Sequence, residues 1–246
     1  MLVDGTVRRQ AGPWTPSVQA LLNHLEKVGF VGAPKFLGFD AAGREELSFL
    51  PGETVGDRKP WPPWVHSKKA LEDVGAWLRN YHRAVADFVP SSDSQWRMAA
   101  RPWQPGDVVG HNDAGPRNAV WDADGLVGFI DWDFAAPCPP IVDLAFVGYS
   151  WVPLHARDVA ASEGFTDFAS RPRRLRVLLD AYGFMGKIPE LLSAVHEQLA
   201  NHIEGTRALA DAGDPLFIRL VDAGVIGSLE RAQMELRGDA EAFASA

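Results

Sequence analysis

The sequence predicts an α+β fold: a small antiparallel sheet with one helix at the amino-terminal end, then a mostly helical remainder. Three observations carry that expectation. Strand and turn signals flank a single helical pattern within the first 52 residues. A compact hairpin pattern interrupts the chain between residues 119 and 130. From Pro172 onward, long segments read as helix.

Leu2-Val3 and Thr6 to Arg9, joined by Asp4-Gly5, read as a hairpin, because Asp-Gly supplies the positive φ that tight turns demand. After a break at Gly12-Pro13-Trp14, Thr15 is placed as the cap of a helix with Pro16 at its first position. Val18, Leu21, Leu22, Leu25 and Val28 form its apolar face, and Gly29 ends it. Strands are expected at Lys35–Phe39 and Glu46–Leu50, with a turn at Ala41 to Arg44. Residues 53–66, rich in Pro and Trp, read as a loop without regular helix. Ser67 caps the next helix, whose face runs Leu71, Val74, Leu78, Tyr81, Val85 and Phe88, with His82 as a structural residue on its polar side. Trp96 and Trp103 are read as packing residues of the connecting loop. An apolar helix is expected over Phe146–Leu154, then helices over Pro172–Tyr182, Pro189–Ala212 and Asp214–Arg237. Arg171, Arg173, Arg174 and Arg176 read as a solvated face, as do Glu197, Glu204 and Asp211. His196-Glu197-Gln198-Leu199-Ala200 lacks the second histidine of a zinc-protease motif and is rejected as one.

With 246 residues, the chain is long enough for one large domain or two small lobes. Its net charge of −8 argues against a nucleic-acid partner and is compatible with a cationic substrate. No apolar run reaches the length of a membrane span, and the start lacks the basic and apolar regions of a signal peptide. Cys138, the single cysteine, has no internal partner and reads as a small packed residue in a loop between Pro137 and Pro139. A reducing cytoplasm fits this pattern.

The chemistry concentrates in residues 110–133. His111, Asp113 and Asn118 lie in a loop broken by Gly115 and Pro116, and the hairpin that follows ends in Asp131 and Asp133. Folding that hairpin returns Asp131 beside Asn118 and Asp113. Carboxylates gathered so closely resist ionisation unless a cation joins them. Hard oxygen donors of this kind suit magnesium, which takes one or two carboxylates with phosphates and water.

His-x-Asp-x-x-x-x-Asn, a hairpin, Ile-Asp-Trp-Asp and then Asp143-Leu-Ala resemble the catalytic and metal-binding segments of the aminoglycoside phosphotransferase and choline kinase family. The resemblance implies a bilobal protein-kinase-like fold, with a truncated nucleotide-binding lobe over residues 1–52 and a helical lobe over 53–246. It implies that Asp113 is the catalytic base, that His111 anchors the loop, and that Asn118 and Asp131 hold Mg2+, with Asp133 as a second ligand. Asp143 is then the loop's brace. Arg9, rather than Arg8, would take the place of the phosphate-binding lysine, and Leu50 would present its backbone N–H to the base of ATP or GTP. The implied activity is transfer of the γ-phosphate to a hydroxyl of an aminoglycoside-like or amino-alcohol acceptor.

The chain departs from the family's pattern at the amino-terminal lobe. Only Met1 to Val3 precede the first turn, no Gly-rich phosphate loop is present, and the helix after Thr15 offers no early glutamate to pair with Arg9. A nucleotide-binding protein of the same fold with impaired catalysis is therefore the alternative. A metal-dependent hydrolase using His111, Asp113, Asp131 and Asp133 is a third reading.

Overall fold

A computed structural model describes residues 2–3, 5–56 and 58–244. It has the expected α+β composition and divides into two compact units, Met1–Gly56 with Ala76–Asp143, and Asp57–Gly75 with Leu144–Ala246.

In the first unit, β1 (Leu2–Val3) and β2 (Thr6–Arg9) form the expected hairpin, although Asp4 of its turn lies outside the described residues. β3 (Phe36–Phe39) and β4 (Glu45–Ser48) complete an antiparallel sheet in the order β1-β2-β4-β3. Arg9 stands opposite Glu45 in the β2–β4 register. The β3–β4 turn is held by Asp40, whose carboxylate accepts from the backbone N–H groups of Ala42 and Arg44 at 2.9 Å. β4 ends at Ser48, two residues before the expected boundary.

Helix α1 (Thr15–Lys27) buries Val18, Leu21, Leu22 and Leu25, as the apolar spacing requires, but Val28 is half exposed beyond its end. Thr15 does not cap it. The N-cap is Trp14, and the Thr15 hydroxyl instead accepts from Gly12 N–H at 2.9 Å and donates to Glu45 at 2.5 Å. Thr15 is the first helical residue rather than the cap, so its oxygen takes the Gly12 N–H and its proton goes to the buried carboxylate of Glu45.

Helix α2 (Lys68–Ala84) begins as expected, with Ser67 Oγ accepting from Ala70 N–H at 3.1 Å. Its later turns belong to the first unit and carry an aromatic core. Trp77 packs on Phe129 and Tyr81, with ring centroids 4.5 and 5.2 Å apart, and Trp132 lies 4.4 Å from the His111 ring. The Tyr81 hydroxyl donates to Val109 O at 2.5 Å, which fixes β5 (Val108–Gly110) to the helix. β6 (Ala119–Trp121) and β7 (Leu126–Phe129) form the central hairpin. β8 (Ala136–Cys138) pairs antiparallel with β5, so Cys138 is buried in a strand rather than packed in a loop. α3 (Pro140–Trp151) begins earlier than the expected Phe146.

The second unit is helical: α4 (Arg157–Ser162), α5 (Arg171–Tyr182), α6 (Ile188–Asp211), α7 (Pro215–Asp222) and α8 (Val225–Ala244). The single helix expected over Asp214–Arg237 is two, broken at Gly224, whose φ is 74°. Asp214 caps the first of them through Leu216 N–H at 2.9 Å. Pro63–His66 adds a short 3-10 turn where only loop is expected. The arginines at the start of α5 are also not a uniform solvated face. Arg171 and Arg174 are buried, bonded to backbone carbonyls of His155 and Trp151 respectively, while Arg173 and Arg176 are exposed.

Candidate active site

Every candidate site residue lies in the first unit. After β5 the chain turns sharply at Asn112, whose φ of 59° is unusual for a residue other than glycine. Asp143, fully buried in the first turn of α3, holds that turn: its carboxylate accepts from the backbone N–H groups of His111 at 3.1 Å and Asn112 at 2.8 Å. His82 Nε2 completes the brace at 3.0 Å, so His82 is buried and structural, not on a polar face. Burial alone would raise the Asp143 carboxyl, but the hydrogen bond and charge of His82, with the Asn112 N–H, hold it below its ordinary value. The Asn112 side-chain amide donates to Phe134 O and Ala136 O at 3.3 and 3.1 Å, tying the turn to β8.

His111 is fully buried, and burial holds its imidazole below its ordinary pKa. Its Nδ1 accepts from the Asp113 backbone N–H at 3.2 Å, which fits a loop anchor and turns that nitrogen away from any metal. The loop closes on itself when Asn118 Nδ2 donates to the Asp113 carbonyl at 2.9 Å and to Asp113 Oδ2 at 2.8 Å. Ile130 N–H donates to Asn118 O at 2.9 Å, so the hairpin's end is pinned to its beginning and Asp131 follows immediately. Asp131 adopts a left-handed φ of 61° and its side chain is half exposed. Burial, followed by repulsion from Asp131, pushes the Asp113 carboxyl up from 3.8 to about 7, against the opposing pull of Asn118 and Arg117.

Arg9 stands over this group. Its guanidinium reaches Asp131 at 3.2 Å, pairs closely with Asp133, and meets Glu45 at 3.4 Å. Asp133 also accepts from Trp14 Nε1 at 2.8 Å and faces Arg97 at 3.5 Å. Arg97 lies 4.6 Å from the Trp14 ring centroid, a cation-π contact that positions it. Leu50 stands two residues past β4 and takes no part in these ion pairs.

Sequence reasoning missed Glu45, Trp14 and Arg97. The signal for Glu45 was alternation along β4, where Glu45 and Leu47 share the buried face. A carboxylate on a buried face requires a cation, and the facing strand supplies Arg9.

The donor set suits a hard divalent ion. Asn118 uses its amide nitrogen on Asp113, which leaves its carbonyl oxygen for another partner, and Asp131 presents an exposed carboxylate. Among the described residues, no group of three or more His, Cys, Asp or Glu is arranged to hold a metal. Few protein ligands are what magnesium needs when phosphates and water supply the rest.

Comparison with known proteins gives the family and the fold. Residues 94–178 match the phosphotransferase enzyme family. The trifolitoxin immunity protein of Rhizobium leguminosarum bv. trifolii is 38% identical over 187 residues, covering 74% of this chain and 69% of that protein. Among solved structures, the amicoumacin kinase hAmiN, in complex with AMP-PNP, Ca2+ and Ami, superposes with a TM-score of 0.62 at 11% identity, covering 95% of this chain and 80% of that one. The choline kinase LicA from Streptococcus pneumoniae gives a TM-score of 0.58 at 13% identity, covering 97% and 88%. These structural likenesses show a kinase-like fold.

Proposed function

Because this chain belongs to the phosphotransferase enzyme family, we propose that it is a small-molecule kinase, passing the γ-phosphate of ATP or GTP to a hydroxyl of an amine-bearing acceptor. Residues 1–52 serve the nucleotide in this reading and residues 53–246 form the helical part. The observation that carries it is the closed loop in which Asn118 grips Asp113 Oδ2 while Ile130 N–H pins Asp131 to Asn118. Asn118 occupies one carboxylate oxygen of Asp113, so the other oxygen is the one that accepts the acceptor's hydroxyl proton. The raised Asp113 pKa suits a base working near neutral pH.

Asp131 and the Asn118 carbonyl oxygen would hold Mg2+, with Asp133 the less available carboxylate because Arg9, Arg97 and Trp14 engage it. When bound, the ion supplies charge neutralisation for the phosphates. Arg9 would meet those phosphates through its planar fork, and Leu50 would offer its N–H to the base. Catalysis would then be positioning and electrostatics more than covalent chemistry. A relative named for immunity to trifolitoxin supports an antibiotic-like acceptor modified in the cytoplasm, and the kinase named for amicoumacin is in keeping with it.

One observation favours the second reading, a nucleotide binder with impaired catalysis: Arg9 already pairs with Asp131, the carboxylate assigned to the ion. Thermal unfolding with ATP and GTP, each with and without MgCl2, tests the shared premise. Magnesium-dependent stabilisation by a nucleotide is expected, and its complete absence would sink both readings. Stabilisation without phosphate transfer to any acceptor would select the second.

A further inference from the structure

The second unit contains a cavity of about 610 Å3 that shares no residue with the candidate active site. Its volume falls in the range of small-molecule pockets and far exceeds that of a single bound ion. Leu71, Phe165 and Val177 give the lining an apolar part, and Lys68, Arg173 and Arg174 give it cations. Asp167 is the one acidic residue in the lining, so three cations face one carboxylate in a chain whose net charge is −8. His66, also in the lining, has its pKa held down by burial, against the opposing pull of the Nε2 bond to Glu163 O at 3.1 Å.

The cations are placed, not scattered. Arg174 is buried, and its guanidinium bonds to the backbone carbonyls of His66 at 2.5 Å and Trp151 at 2.9 Å. Asp167 of the lining acts on its charge, and among the described residues its buried Nε has no hydrogen-bond partner. The Phe165 ring lies 5.2 Å from its guanidinium carbon. Arg173 is exposed, one residue earlier in the first turn of α5, where the helix dipole adds positive potential. Ser170 and Thr166 also line the cavity, the Ser170 hydroxyl donating to Asp167 O at 2.8 Å. Lys68 has an exposed partner in Glu72 at 2.6 Å, which does not line the cavity.

We infer that this cavity is a second ligand site, taking a small organic phosphate whose head meets Lys68, Arg173 and Arg174 and whose apolar body lies against Leu71, Phe165 and Val177. Two arginines in a lining that carries a single carboxylate suit the several oxygens of a phosphate head better than a carboxylate head, with Lys68, shared with Glu72, beside them. The apolar part gives a bare inorganic anion nothing to bury.

Calorimetric titration of the full chain with phenyl phosphate tests the site, with inorganic phosphate and phenol titrated in parallel and each run repeated in saturating ADP and MgCl2. Saturable binding of phenyl phosphate is expected, at least tenfold tighter than either fragment and unchanged by ADP. Arg173→Glu, an exposed change that leaves the Arg174 backbone bonds in place, should weaken it at least tenfold without altering nucleotide-dependent thermal stabilisation; Lys68→Glu should act in the same direction. No saturable binding, full competition by ADP, or affinity undiminished in either folded variant would overturn the second site. Phenol binding as tightly as phenyl phosphate would overturn the phosphate head. None of these readings uses phosphate transfer, so the proposed kinase activity can fail independently.

Discussion

Asn118 Nδ2 donates to Asp113 twice, to Oδ2 at 2.8 Å and to the backbone carbonyl at 2.9 Å. The pair fixes both the rotamer of the carboxylate and the four-residue loop between them. Asn118→Ala frees that carboxylate to rotate and removes an oxygen assigned to the ion. Turnover in steady-state kinetics should fall by about 10²-fold, the scale on which small misplacements of reacting groups act. Stability should fall by only about 1 kcal/mol, the worth of a typical hydrogen bond.

Asp143 is the buried brace of the same loop. Asp143→Ala leaves two backbone N–H groups, the buried one of His111 and the partly buried one of Asn112, without their acceptor. A loss of about 3 kcal/mol in urea unfolding is expected. The pH dependence has a definite sign. The folded-state carboxyl lies below its ordinary 3.8, so its contribution is fully present above that value and drains away as the pH falls through the lower folded value. Asp143→Asn should flatten the acid limb of the stability curve relative to the unsubstituted chain.

Gly110 sits where the strand meets the loop. A Cβ there would lie 2.7 Å from Cys138 Sγ and 3.0 Å from the Asp143 carboxyl carbon. Both neighbours are buried and neither can retreat. Gly110→Ala should cost about 2 kcal/mol in chemical denaturation, the usual scale of overpacking.

Arg9 bridges the buried Glu45 on β4 and the carboxylates that follow the hairpin. Arg9→Ala should weaken ATP binding about tenfold, or about 1.4 kcal/mol, read as the nucleotide concentration needed for half-maximal thermal stabilisation. Unchanged nucleotide affinity would remove Arg9 from the phosphate role.

The parts of the fold set by local chemistry were legible in the sequence. The hairpin over residues 119–129, the Ser67 cap and the apolar face of α1 each follow from neighbours a few residues apart. So did the convergence of Asn118 and Asp131, which the hairpin alone enforces. What depends on distant pairing was not legible. Glu45 meets Arg9 only because β2 and β4 are neighbours in the sheet, and its carboxylate also takes the proton of the distant Thr15 hydroxyl. Arg171 and Arg174 read as solvated because their acceptors are backbone carbonyls elsewhere in the chain, which carry no signal in residue identity. The break at Gly224 was obscured by a continuous helical pattern on both sides of it.

Transfer of label from [γ-32P]ATP to a panel of amine-bearing acceptors, choline and kanamycin included, compares the unsubstituted chain with Asp113→Asn most tellingly. Asp113→Asn preserves the shape of the side chain and removes its basicity. Label should pass to an acceptor hydroxyl in the unsubstituted chain and fall by about 10³-fold in the variant, with magnesium-dependent ATP affinity retained. A variant that transfers label as fast as the unsubstituted chain would contradict the assignment of Asp113 as the base.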